Sequence, residues 1–586
     1  MKIPFVGQAY TMPSLDVDAQ NCINWFLVFD QTGKFPTSLF PVPGHKLFST
    51  QIGTQYSVRG MLNLNGKGYA VVDNILYQVF RTGERKKLGT LNTSVGRINI
   101  IANKTQLLIS DGRYGYVYQV LKTDDYDAGE FNTIDKTSSV IGDPTFTGSG
   151  LDDLTSEGTY SGTNNKTYRV EIQIAGTPDK FRWSDTDGAT WNVEDIDIIV
   201  GPITLNDGVK IEFENITGHT AKDYWQIEVV TDDTFYPSVV PAYLNPYGIL
   251  PRQNTDDYFI TQIDDFRKIN ALDFTSAQGT PNNLVAAAAV RGEAWLFTNK
   301  TLEVWYNTGA AAFPLQPRSN FLKKYGCIAP YSLSIVEDDV LAWLGTNADG
   351  KRCFIVMEEY NPIPVSTEAI DNELAKYETV DDAFSFSFFY QGQTFIVWIF
   401  PTADKTWVYS LKTKSWHERL TWYLNGQPRQ EEYRLGRWSA NCYMELDGHH
   451  LIGDFETGNI YELSQDTYTE QNDRPIICER TTQHLQSDLN RLFFDWLIVD
   501  FQAGVGLVDD TVQGYNPEVM MLVSKDGGHE WVERNWKGIG KIGKRQHRAK
   551  WNKFGYARNW TFRVRISDSI YRVLIGAVGE AEVSEE

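Results

Sequence analysis

Apolar residues recur along the chain in short runs that stop at a turn and resume. The stretches AVVDNILYQVF (70–80), QLLISDGRYGYVYQV (106–120) and AWLFTNKTLEVWYNTG (294–309) share this form. So do FIVWIFPTADKTWVYSLKTKSWHERL (395–420) and HLIGDFETGNIYELS (450–464). Each is an apolar strand, a turn of Asn, Asp, Gly or Thr, and a second strand ending in aromatics, which predicts a β-hairpin. A hairpin of this kind offers one apolar face to a neighbour, as the inner hairpins of β-propeller blades do. Their irregular spacing leaves a stack of sandwiches as the other arrangement. One helix is predicted, over STEAIDNELAKYE (366–378), with Ser366 or Thr367 as cap and Ile370, Leu374 and Tyr377 on one face.

Residues 143–236 break the rhythm. A Gly/Ser/Thr-rich stretch, FTGSGLDDLTSEGTYSGTNN, leads into regular alternation in TYRVEIQI and VKIEFENI. The segment holds 18 Asp/Glu against 6 Lys/Arg, a net charge of −12. It reads as an acidic, Ig-like β-sandwich inserted in a surface loop of its host, where insertions are best tolerated. Beyond residue 466 the strands lengthen and carry more charge (RLFFDWLIVDFQA, EVMMLVSKDGG, WTFRVRISD). The expected class is therefore mainly β, in four parts. Residues 1–142 supply N-terminal strands and the first part of a β-propeller, 143–236 the inserted sandwich, 237–465 the rest of the propeller, and 466–586 a C-terminal β-sandwich.

Composition sharpens this picture. Aromatics make up 13% and glycines number 47, a pairing that suits short strands and tight turns. The net charge of −21 argues against general affinity for nucleic acid, but not against surrounding DNA without gripping it. Cys22, Cys327, Cys353, Cys442 and Cys478 are odd in number and never form CxxC, so buried free thiols are expected and no zinc site. The N-terminal segment lacks a signal-peptide core and no run of about 18 apolar residues exists, so a protein made and kept in the cytoplasm until it is assembled, without membrane insertion, is expected.

Motifs that could carry chemistry mostly dissolve on inspection. GIGKIGKR (538–545) contains GxGxxG and most of GxxxxGK, but Arg545 stands where a magnesium-binding hydroxyl should, and the flanks are strand-like. SDTDGATW (184–191) and SKDGGHEW (524–531) resemble the Asp-box hairpin of sialidases and other β proteins. In them Asp187 and Asp526 are expected to bond turn amides, and Trp191 and Trp531 to anchor the hairpins. Adjacent carboxylates such as Asp152–Asp153 and Asp381–Asp382 cannot converge on one bond from a strand and are expected as solvated loop ends. No catalytic residue, metal ligand or cofactor is predicted.

One charge feature stands apart. Between Arg534 and Arg565 lie eleven Lys/Arg and no Asp/Glu, leaving −32 on the remainder of the chain. In the closing strand, Arg563 and Arg565 should face outward while Phe562, Val564 and Ile566 pack inside. Lys541, Lys544, Arg545 and Arg548 lie in a glycine-rich loop that could reach a neighbour. An acidic protein partner, another subunit included, is the preferred reading over a solvated face and over DNA.

Several strings, in order, resemble the tail nozzle, or packaged-DNA stabilisation, proteins of short-tailed bacteriophages. They are AQNCINWFLVFDQTGKFPTSLFPVPGHKLF (19–48), the dense middle DFRKINALDFTSAQGTPNNLVAAAAVRGEAWLFTNKTLEVWYNTG (265–309), FLKKYGCIAPYSLSIVEDDVLAWLG (321–345) and PVSTEAIDNELAKY (364–377). VSKDGGHEWVE with the basic tract and WTFRVRISD closes the series. The collinear order carries the likeness, which covers most of the chain outside 143–236. LVFD after Trp25–Phe26 departs from the family, whose members carry an acidic residue after a proline there. The resemblance implies a homohexameric virion protein under the head-to-tail adaptor, docking tail fibres or tailspikes, retaining DNA and opening for ejection. On that view Lys541, Lys544, Arg545, Arg548, Arg563 and Arg565 are candidates for the subunit or adaptor interface. The competing class is a β-propeller that binds or cleaves host surface glycan.

Overall fold

The structure, a computed structural model, describes residues 2–30, 35–50, 57–120, 129–134, 138–158, 160, 165–232, 236–277, 279, 282–310, 313–347, 349–424, 433–488 and 490–584. These residues form two compact units. The first comprises Met1–Phe131, Pro237–Asp264 and Phe274–Glu586, and the second Asn132–Tyr236 with Asp265–Asp273.

In the first unit, seven four-stranded antiparallel arrangements are built among the described residues, and each opens with an inner strand. The inner strands are Val58–Leu64, Asn99–Ala102, Ala242–Leu244, Leu284–Val290, Ser334–Val336, Phe384–Tyr390 and Ala440–Leu446. The first four neighbour one another in sequence order, as do the fifth to the seventh, the turn Pro330–Ser332 lies against the fourth and the sixth, and the seventh lies against the first, closing a β-propeller. The two-residue turns after four inner strands are Asn65–Gly66, Arg291–Gly292, Gln391–Gly392 and Asp447–Gly448, with φ positive at both positions. That geometry matches the right-handed twist of the flanking strands, and the glycine adopts it without strain. Between blades lie apolar layers. Val58, Met61, Val72, Met444, Leu451 and Ile460 join the seventh blade to the first, and Leu64, Tyr69, Val71, Leu107, Ile109 and Tyr118 join the first to the second. The middle strand Gln393–Phe400 is buried at every residue because both its faces are covered, which explains its unbroken apolar run.

Distant chain segments complete the unit. The seventh blade takes its outermost strand, Gly44–Ser49, from the N-terminal region, paired with Ile460–Ser464. The sixth blade extends through Ser415–Glu418 into a nine-stranded sheet with Cys22–Ile23, Cys478–Thr481, Thr561–Ile566, Glu518–Ser524 and Val532–Gly538. A second sheet holds Trp25–Phe29, Thr37–Pro41, Leu574–Ser584, Arg491–Phe501 and Ala549–Ala557, with Lys2–Ile3 beside Leu574–Ser584. The C-terminal β-sandwich thus draws strands from the first 41 residues. Local patterning could not show this, because it marks a strand without naming its partner.

The helix spans Glu368–Lys376, capped by Thr367, whose Oγ1 accepts from the Ile370 amide, and it buries Ile370 and Leu374. All five cysteines are free and buried. Burial pushes the Cys22, Cys327, Cys353 and Cys442 thiols up to about 12, so they stay protonated and act as small apolar side chains.

The second unit is a β-sandwich. One sheet runs Ser138–Ile141, Tyr224–Asp232, Lys166–Ile174, Lys180–Ser184, Val193–Asp197, with Thr145–Thr147 on Tyr224–Asp232, and the other runs Leu154–Gly158, Val209–Phe213, Ile203–Thr204. Tyr168, Val170 and Ile172 alternate inward with Trp225, Ile227 and Val229 to fill the space between them.

Candidate subunit and adaptor interface

Two turns with the same architecture stand at the ends of strands Lys180–Ser184 and Glu518–Ser524. In the second, the Ser524 hydroxyl oxygen accepts from the Gly528 amide at 2.7 Å, and Asp526 Oδ1 accepts from the Glu530 amide at 3.0 Å. Partial burial would raise the Asp526 carboxyl, but the Ser524 hydroxyl and the turn amides hold it below its ordinary value. In the first, Ser184 Oγ accepts from the Gly188 amide at 3.0 Å. The residue that receives the Thr190 amide, also at 3.0 Å, is Thr186 and not Asp187. Asp187 sits one position later at φ 51 and accepts from Gln226 Nε2 instead. The expected role of Asp187 is therefore corrected: the hydroxyl two residues after the serine replaces the carboxylate. Each turn holds its tryptophan beneath an arginine, Arg182 over Trp191 and Arg563 over Trp531, both at 3.9 Å.

The basic tract divides into two populations. Arg563 and Arg565 lie on an interior strand of the nine-stranded sheet and both reach Glu479, which is almost wholly buried. Arg563 Nε also donates to Thr481 Oγ1 at 2.9 Å, and burial lowers its ordinarily high pKa. Phe562, Val564 and Ile566 are buried as expected, and the two arginines take the opposite, half-buried face of the strand, where both are already paired with Glu479. They compensate a carboxylate that the neighbouring strand Cys478–Thr481 brings inside. Arg534 is also engaged internally, donating to the Asn552 and Lys553 carbonyls at 3.0 and 2.9 Å. Lys541 lies 5.2 Å over the Tyr515 ring. Lys544, Arg545 and Arg548, in contrast, are exposed on a loop turned by Gly540 and Gly543, and they form no ion pair among the described residues.

Two family models match the chain. One, described as bacteriophage P22 Gp10, beta-propeller, spans residues 235–468, and one described as bacteriophage P22 Gp10, beta-sandwich, spans residues 477–582. The chain belongs to the bacteriophage P22 Gp10 family. It is accordingly a structural protein of a phage tail and a component of the virion. No curated protein matches it. Among solved structures, the N-terminal domain of Nup159 aligns at 8% identity and TM-score 0.34, covering 76% of this chain and 99% of that one. The computationally designed Ika8 protein aligns at 9% identity and TM-score 0.30, covering 72% and 99%.

In this Gp10-family chain several of the carboxylates hold local structure. Asp382 accepts from the Thr402 amide and Asp264 from the Tyr243 hydroxyl. Asp153 departs from the solvated loop end expected of it. Its Oδ1 lies 2.9 Å from His219 Nε2, while Asp179 Oδ2 lies 2.9 Å from His219 Nδ1, and the imidazole is wholly buried. The three residues tie together three loops at one end of the second unit's sandwich. Sequence spacing gave no hint, since the partners lie 66 and 40 residues away.

Proposed function

We propose that the chain is the tail nozzle subunit: it forms a homohexameric ring beneath the head-to-tail adaptor, retains packaged DNA, docks tail fibres or spikes, and opens for ejection. Charge segregation within a Gp10-family chain is the observation that carries this reading. In a chain of net −21, Lys544, Arg545 and Arg548 stand together on one loop, exposed and without an ion pair among the described residues. Carboxylates facing a channel repel phosphate, so DNA slides without sticking. A basic loop on the same chain attracts the acidic surface of a neighbouring subunit or of the adaptor, where charge-assisted hydrogen bonds form. The three-fold reversal Lys544→Glu, Arg545→Glu, Arg548→Glu leaves the monomer folded and abolishes ring formation or attachment to nozzle-less heads, read by sedimentation. Normal attachment by that variant would return the loop to a solvated face.

A further inference from the structure

The first unit holds a groove that neither the basic loop nor the blade packing fills. It measures about 500 Å³, within the range of small-molecule sites, and opens on the first blade. The turn Asn65–Gly66 and the turn that runs from Phe80 to Glu84 line it. Val79, Phe80 and Leu446 supply its apolar wall. Val79 and Leu446 are buried in the layer between the seventh and first blades, so close packing fixes that wall.

Three uncharged polar side chains share the lining. Gln78 is only 3% exposed, and its side-chain amide makes no hydrogen bond among the described residues. A buried amide is almost always bonded, because leaving one without a partner is costly. Thr82 Oγ1 accepts from the Glu84 amide at 3.5 Å, which leaves its hydroxyl proton to donate. Asn65 Nδ2 is spent on the Lys104 carbonyl at 3.0 Å, which leaves its side-chain oxygen to accept. The groove thus offers spare donors and acceptors together, next to an apolar wall.

Charge decides against ionic ligands. Arg81 is paired with Asp447 at 3.2 Å, and Lys67 is engaged within the chain. Glu84, exposed at the rim, is the remaining charge of the lining, so an anion finds no spare cation to hold it. A purely apolar ligand would leave Gln78 without a partner. An extended peptide has no strand to join, because Ile75–Val79, which carries Gln78, is paired on both sides, with Lys67–Val72 and Arg85–Thr90. We propose that this groove binds a neutral saccharide of one or two rings. Each ring hydroxyl both donates and accepts, which suits the Gln78 amide, the Thr82 hydroxyl and the Asn65 oxygen together. The C–H face of the ring covers the half-buried Phe80. The inference goes beyond the nozzle reading and does not rest on it, since neither ring formation nor DNA retention uses this groove.

The test uses the full chain and saturation-transfer NMR, with maltose, lactose, mannobiose and diacetylchitobiose as probes. At least one disaccharide binds, and Gln78→Leu, which keeps the bulk and removes the amide, weakens it at least about tenfold. Thr82→Val, on an exposed turn, weakens the same probe without disturbing the strand, so the outcome is read even where Gln78→Leu fails to fold. Inorganic phosphate and acetyl-tetraalanine amide leave the bound probe in place. Absence of transfer to every disaccharide overturns the proposal, as does an affinity that Thr82→Val and a folded Gln78→Leu leave unchanged. Displacement by phosphate or by the peptide also overturns it, and assigns the groove to an anion or to a protein segment instead.

Discussion

At both tryptophan-bearing turns a serine oxygen takes the amide four residues on, and the residue two beyond the serine takes the next available amide. Position within the turn therefore decides the role, and residue type follows. Thr186→Val keeps the shape and removes the acceptor, so it destabilises the second unit by about 1–3 kcal/mol. Asp187→Asn keeps a side chain that tolerates the left-handed conformation and stays within about 0.5 kcal/mol. Asp526→Ala costs the sandwich of the first unit about 1–3 kcal/mol. Urea unfolding of each variant checks the order, and a larger loss from Asp187→Asn than from Thr186→Val would contradict it. The sequence pattern was legible as a turn. It misassigned Asp187 because an acidic residue happened to stand beside the position that a hydroxyl fills.

Two buried histidines contribute to the acid response. His45 Nε2 accepts from Trp438 Nε1 at 2.9 Å, which requires a neutral ring, and Nδ1 faces Gln471 Oε1. His417 sits among Phe26 and Phe395. Burial, with Arg419 adding repulsion, lowers both to about 3. A base whose pKa falls on folding stays neutral in the native state while the unfolded chain takes up protons. Stability is thus complete above about pH 6.5 and is lost as pH falls from there towards 3, at on the order of 1 kcal/mol per pH unit for each ring. His417→Leu shows a shallower loss of denaturation midpoint between pH 6.5 and 4.5 than the parent chain, and an identical slope would remove His417 from the account.

At the scale of elements, hairpins and the single helix could be read locally, because a two-residue turn with glycine and a threonine cap act within a few residues. Strand partnership could not. Asn24, at φ 57, donates to the Leu420 and Ile477 carbonyls at 2.9 and 2.8 Å, across about 400 residues of chain. Arg480, fully buried, donates to the Phe5, Gln8 and Asn21 carbonyls, each at 2.8 Å. These bonds hold the N-terminal strands in the sandwich, and no pattern in residues 1–41 reveals them. Arg480→Met removes the guanidinium donor from the Phe5, Gln8 and Asn21 carbonyls, of which Asn21 keeps the Thr481 amide, and costs about 3 kcal/mol or more. Protease sensitivity of the first 25 residues should rise in parallel, and an unchanged cleavage pattern would mean that other contacts hold the segment.

At the scale of the whole molecule, charge and insertion were the legible features. The composition shift marked an inserted sandwich from residue 143, and the compact second unit begins at Asn132 and also includes Asp265–Asp273. The second unit has its own core, with Tyr168, Val170, Phe181, Val209 and Trp225 fully buried. Replacing 143–236 by a short Gly-Ser linker therefore leaves the thermal transition of the propeller and C-terminal sandwich within a few degrees of the parent, measured by calorimetry. Aggregation of that deletion would show that the segment supports the host core.

The nozzle reading joins these scales, and DNA retention tests it most directly. DNA-filled heads that carry the adaptor but lack a nozzle are mixed with the purified chain, treated with DNase, and assayed for protected genome. The chain restores protection, and the Lys544, Arg545 and Arg548 reversals do not. Heads that bind the chain yet leak DNA as before would contradict it.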